Sequence, residues 1–201
     1  MYKFTQLEKK MTSEELEKFC KKITEEYANS AAQFARSYFC KKYEITISCF
    51  YKILEKSVIN NLVEDITVQK MIKKAIENQN AHKNGAGASS IIKYAKMYTK
   101  RYKYIAETMK VNDIKELAED FANNPNISKM QFALSYGVNS KVVDYCLKRA
   151  IIQNIVDDFT VKEIETRSIA NATTNNIDMI KNYFANLKRI REENKKEIAL
   201  K

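Results

Sequence analysis

The sequence predicts an all-α protein, and three observations predict it. Only 3 glycines and 1 proline occur in 201 residues, too little turn chemistry for a β-sheet of any size. Apolar residues recur every three or four positions through most of the chain, the period of an amphipathic helix. The few helix breakers fall between such stretches. Gly85 and Gly87 lie in one loop, Gly137 in a turn, and Pro125 just ahead of the capping box Ser128-x-x-Gln131.

In chain order, a short basic leader precedes Thr12-Ser13-Glu14-Glu15, a capping box that opens a helix with Leu16, Phe19, Cys20 and Ile23 on one face and Lys18, Lys21 and Lys22 largely on the other. Ala28 to Tyr43 continues helical. A helix from Ile47 to about Leu62 follows, and after Asp65-Ile66-Thr67 another runs through Lys70, Met71, Lys74 and Ala75. Asn78 to Ser90 breaks the pattern. Its segment Lys83-Asn84-Gly85-Ala86-Gly87-Ala88-Ser89-Ser90 has glycines that let backbone N–H groups converge on a phosphate, but no Gly-Lys-Ser/Thr, so a P-loop is excluded and a flexible connection fits better. From Ile91, a helix sets Ile91, Ala95, Tyr98, Tyr102, Ile105 and Met109 as an apolar stripe against Lys93, Lys96, Lys100 and Lys103, with Arg101 and Tyr94 at the flank. The last helix, Asp178 to about Lys196, carries Lys181, Lys188, Arg189 and Arg191 around Ile177, Ile180, Phe184, Leu187 and Ile190. Its end, Glu192 to Lys196, projects into solvent or pairs with a partner helix.

The chain also repeats itself. Glu25-Glu26-Tyr27-Ala28 reads against Glu119-Asp120-Phe121-Ala122, Gln33 to Tyr38 against Gln131 to Tyr136, and Asn61 to Val68 against Asn154 to Val161. The first copy is longer between the last two blocks, and the excess is placed at Phe39 to Tyr43. Ile45-Thr46-Ile47-Ser48 then lies over Val138-Asn139-Ser140-Lys141. The expected organisation is two pseudo-repeated helical units, residues 12–109 and 110–201.

In the second copy, small Ala133 stands four before Gly137, at a turn that wants positive φ. Val138 follows, Asn139 suits an N-cap, and Val143 and Cys146 point inward at helical spacing. This segment resembles the helix-turn-helix of DNA-binding regulators, in the style of phage or mobile-element proteins. The resemblance implies that Ser140, Lys141, Asp144, Tyr145 and Lys148, with Arg149 at the margin, face the major groove or its phosphates. The first copy departs from the pattern: Glu44 stands in place of Gly137 and Thr46 caps in place of Asn139. Its outward residues are Ile47, Ser48, Tyr51, Lys52 and Lys56.

A formal charge of +10 and a sequence pI near 9.3 favour an anionic partner, first of all nucleic acid. No apolar run approaches the ~20 residues of a membrane span, and the N-terminus is no secretory signal, which points to the cytoplasm. Cys20, Cys40, Cys49 and Cys146 lack C-x-x-C pairing and read as small core residues. The single His82 provides no zinc set. The duplicated acids Glu64-Asp65 and Asp157-Asp158 are candidates for gathering a metal. A Thr160-x-x-Glu163 capping box and acids favoured at a helix N-terminus explain them more simply. No nucleophile and base stand together.

The expectation is a non-enzymatic double-stranded-DNA binder without cofactor or metal, monomeric or homodimeric, regulating transcription through tandem helix-turn-helix motifs. Lys93, Lys96, Lys100 and Arg101 would supply phosphate affinity. The alternative is a phage-type packaging or inhibitor protein in which the same helices bind a protein partner.

Overall fold

The structure, a computed structural model, describes residues 1–31, 34, 36–81 and 86–200. His82, Gly85, Gln33 and Ala35 lie outside the described residues. All regular structure among those described is helical: α1 Phe4–Lys10, α2 Ser13–Asn29, α3 Arg36–Lys42, α4 Ile47–Ile59, α5 Asp65–Ala81, α6 Ala86–Thr108, α7 Val111–Asn123, α8 Lys129–Ser135, α9 Ser140–Ile152, α10 Asp158–Ala170, a 3-10 turn Thr174–Asn176 and α11 Ile177–Ala199. None of these helices is long and apolar enough to cross a membrane.

Helix starts follow local chemistry. The Thr12 hydroxyl accepts from Glu15 N–H, Thr46 from Cys49 N–H at 3.1 Å, Ser128 from Gln131 N–H at 3.2 Å and Asn139 from Lys141 N–H at 3.0 Å. Several expected boundaries shift. The N-terminal leader is not loose: α1 buries Phe4 and Leu7, and Tyr2 pairs in parallel with Ile45. The helix expected over Ala28 to Tyr43 is broken, with α2 ending at Asn29 and α3 beginning at Arg36. α5 and α6 reach into the predicted Asn78–Ser90 break, so Gly87 is helical. Asp157, not Thr160, caps α10.

The chain divides into two compact units, Met1–Tyr104 and Ile105–Lys201. The boundary falls inside α6, earlier than the expected 109/110. Arg149 donates to the carbonyls of Ala106, Glu107 and Met109, which draws the end of that helix into the second unit. In the first unit α2 packs on α4 and α5, with α1 and α3 laid against α4. Its core holds Ile23, Tyr27, Phe39, Phe50, Ile53 and Leu54, together with Tyr94 and Met97 of α6. In the second, α7 packs on α9 and α10, while α8 and α11 cover further sides of α9.

Matching contacts recur in the two units at a sequence offset of 93 or 94. Tyr27 and Phe39 meet edge to face at 5.4 Å, as Phe121 and Phe132 do at 5.2 Å. The Lys74 ammonium lies 4.3 Å above Tyr27, and the Arg167 guanidinium 3.6 Å above Phe121. Tyr43 donates to Glu26, and Tyr136 to Asp120 at 2.5 Å. Tyr43, rather than Tyr38, therefore holds the place of Tyr136. Phe39 to Tyr43 is not an excess, since α3 and α8 are each 7 residues long.

Gly137 has φ +64°, and Glu44 takes the same left-handed conformation at φ +53°. A Cβ on Gly137 would meet nothing within 4 Å, so only the backbone opposes it. Gly137→Ala is expected to lower stability by about 1 kcal/mol. Glu44→Gly is expected to raise it by less than about 1 kcal/mol, because the freer unfolded chain offsets part of the relief. Urea unfolding of both variants tests the pair; equal signs would refute the backbone argument.

Candidate nucleic-acid interface

The α9 helix buries half its circumference: Val142, Val143, Cys146, Leu147, Ala150 and Ile151 all face the core. What remains is a stripe in which Lys141 and Lys148 are exposed and Tyr145 is half-buried, three predicted residues on one face. Ser140 begins the helix and is half-buried. Asp144 lies at the edge of the stripe, where both carboxylate oxygens accept from Lys129, at 2.8 and 3.0 Å. The turn before α9 has the expected parts, with Ala133 buried, Gly137 left-handed, Asn139 capping, and Val143 and Cys146 fully buried.

Arg149 does not face outward. Its guanidinium caps the C-terminal end of α6 and its Nε donates to Gln153 at 2.8 Å. A marginal position on the helical wheel became structural because three orphan carbonyls at a helix end needed a donor.

The first candidate helix is more encumbered. Ser48, Lys52 and Ile47 of α4 are exposed. Tyr51 is held between the Arg36 guanidinium, 5.4 Å from its ring centroid, and the Lys93 ammonium at 3.8 Å. Lys56 is half-buried in a shallow cleft lined also by Phe4 and Glu8 of α1. Lys100 pairs with Glu55 at 3.2 Å. Neighbours from α1 and α6 thus flank α4 on two sides. Lys96 is exposed, as expected.

Arg101 is corrected outright. It is 4% exposed, donates to the carbonyl of Val63 at 2.7 Å and pairs with Asp65 at 3.0 Å. Arg191 does the same in the second unit, donating to Ile151 O at 3.0 Å, Val156 O at 2.6 Å and Asp158 at 2.9 Å. The buried face of α6 is turned from the one predicted, with Tyr94, Met97 and Arg101 inward. On α11, Phe184 and Leu187 are buried as predicted, and Arg191 joins them while Ile190 is only half-buried. The charged end of α11 stays helical and is tied to its own unit, with Lys195 on Asp158 at 3.2 Å and Asn194 donating to Ile152 O.

Three of the duplicated acids have structural partners, Asp65 on Arg101 and the pair Asp157 and Asp158. Asp157 accepts from Thr160 N–H at 2.7 Å, and this hydrogen bond holds its carboxyl below the usual aspartate range. Lys195 and then Arg191 do the same for Asp158. Both folded values lie below the unfolded ones, so their contribution is complete above the ordinary aspartate value of about 3.9 and is lost as pH falls from there through the lower folded values. Asp157→Asn keeps a good cap without the titration. Between about pH 5 and pH 3 this variant is expected to lose less stability than the parent in chemical unfolding; an identical acid loss would show that Asp157 contributes nothing to it. Among the described residues no group of three or more His, Cys, Asp or Glu could hold a metal ion. The four cysteines are buried and free, and desolvation raises the Cys146 thiol to about 11.

A feature missed in the sequence lies beside the stripe. A groove of about 510 Å³ runs between α9, the end of α10 and the first half of α11. Met179 and Tyr183 form its wall, 64% and 44% exposed. Their spacing of four on an otherwise polar side of α11 was the available signal.

Fold and site together define an all-α protein in which α8, a tight turn and α9 leave Lys141, Tyr145 and Lys148 on one open stripe. No family profile, curated protein or solved structure matches the chain.

Proposed function

We propose that this protein binds double-stranded DNA through its second unit and acts as a regulator without catalysing a reaction. The observation that carries the reading is the α8–turn–α9 arrangement: a left-handed Gly137, an Asn139 cap, and one open stripe with two lysines and a tyrosine on a helix otherwise held by its neighbours. The net charge of +10 supports an anionic partner. Lys141 and Tyr145 reach base edges near the start of α9, and Lys148 holds a phosphate. The first unit braces and adds charge through Lys96 and Lys52. Its α4 does not read bases, because Tyr51 and Lys56 already have neighbours within the unit. The matching contacts of the two units support their origin as copies of one ancestral unit. The protein works in the cytoplasm as a monomer or homodimer.

Selection from a random duplex pool tests this reading. Convergence on one short motif is expected, with affinity falling as salt rises by a log–log slope of about 0.9 per phosphate contacted. Binding without convergence reduces the role to electrostatic coating. Absence of binding at low salt removes DNA as the partner and favours a protein-interaction module, for which the exposed Met130, Leu134 and Phe159 of the second unit offer apolar contact.

A further inference from the structure

The groove beside α9 has the make-up of a ligand site. Its floor is apolar, formed by Phe121, Leu147, Ile151, Phe184 and Leu187, and its rim carries neutral polar groups, among them Ser168, Asn171 and Thr173. A volume of about 510 Å³ is within the range of roughly 300–1,000 Å³ typical of small-molecule sites.

Charge at the lip narrows the chemistry. Lys129 and Asp144 both line the groove and neutralise each other through the two short hydrogen bonds described above. Lys148, one turn beyond Asp144, also lines it and is exposed, and among the described residues it has no ion pair. One uncompensated cation therefore stands over an apolar trough. The wall is wet where it need not be, since Met179 and Tyr183 extend apolar surface into solvent directly above buried Phe184 and Leu187. The Tyr183 hydroxyl is raised by burial and then by Asp144, consistent with ring and carboxylate sharing the lip.

We propose that this groove binds a small amphipathic carboxylate, an aromatic or medium-chain acid, with its apolar part against Leu147, Met179 and Tyr183 and its carboxylate on Lys148. The binding stands independently of the DNA reading. If that reading holds, the acid takes Lys148 from the phosphate and weakens the complex, which makes the groove an effector site.

The test titrates the isotope-labelled full chain with decanoate, decanol and decyltrimethylammonium, each below micelle formation, followed by amide shifts. Decanoate is expected to shift residues 144–151 and 179–187 saturably, at least tenfold more tightly than decanol, with the cation weakest. Lys148→Gln should bring decanoate to the level of decanol, and Lys148→Arg should retain it. Met179→Glu, at an exposed position that should not disturb folding, should abolish it. Unsaturable shifts, shifts elsewhere, equal binding of the three amphiphiles, or an unchanged Lys148→Gln variant would each overturn the proposal. Duplex binding is measured separately, so loss of one result leaves the other standing.

Discussion

Arg191→Ala is expected to destabilise the second unit by about 2 kcal/mol, since an orphaned buried acceptor costs ~1–3 kcal/mol. The side chain is 4% exposed and donates to the carbonyls of Ile151 and Val156. One of these belongs to the last turn of α9 and the other to the loop that leads into α10. Removing the guanidinium orphans the Val156 carbonyl, leaves the Ile151 carbonyl with the Asn154 N–H alone at 3.3 Å, and leaves Asp158 with Lys195 alone. The Asp158 pair itself contributes little, because that carboxylate is 75% exposed and screened by water. Arg191→Lys keeps the charge but not the fork that reaches two carbonyls at once, so an intermediate loss is expected. Urea unfolding gives the magnitude. Hydrogen exchange locates it, with α9 and α10 amides losing protection and those of α2 and α4 unchanged. A loss below about 1 kcal/mol would mean that water satisfies the carbonyls, and the clasp would then be dispensable.

Lys141→Ala combined with Tyr145→Ala is expected to weaken binding to the selected duplex by more than tenfold, given ~1–3 kcal/mol for each good base contact. Stability should stay nearly constant, since Lys141 is exposed and Tyr145 half-buried on the open stripe. Binding to unrelated duplex should change much less, because the salt-dependent phosphate term is largely retained. Arg149→Ala provides the contrast. It removes the cap on α6 and should lower stability while leaving affinity per folded molecule close to the parent. Affinity for the selected duplex within twofold of the parent in the double variant would rule out α9 as the reading helix.

What was legible in the sequence lay within one or two helical turns. The caps at Thr12, Thr46, Ser128 and Asn139, the left-handed Gly137 and the burial of Val143 and Cys146 are all local, and all were predicted from residue type and spacing. The stripe of Lys141, Tyr145 and Lys148 followed from the same period. The groove was harder to see, because its walls come from α9, α10 and α11 and no single helix announces it.

The amino-acid sequence by itself determined that this chain is helical, where α2, α4, α8 and α9 begin, and which half of α9 is apolar. The tertiary structure decided the fate of the charged side chains. By periodicity Arg101, Arg149 and Arg191 stand beside or at the margin of an apolar stripe and the pattern assigns Lys74 and Arg167 no role, yet each donates to carbonyls at the end of a helix or of the loop beyond it, 38 to 47 positions away. The reason is physical. A helix start is completed by a side chain only two or three residues away, whereas the last carbonyls of a helix accept from whatever donor packing brings to them. Spacing along the chain carries the first kind of information, and only the packed fold carries the second.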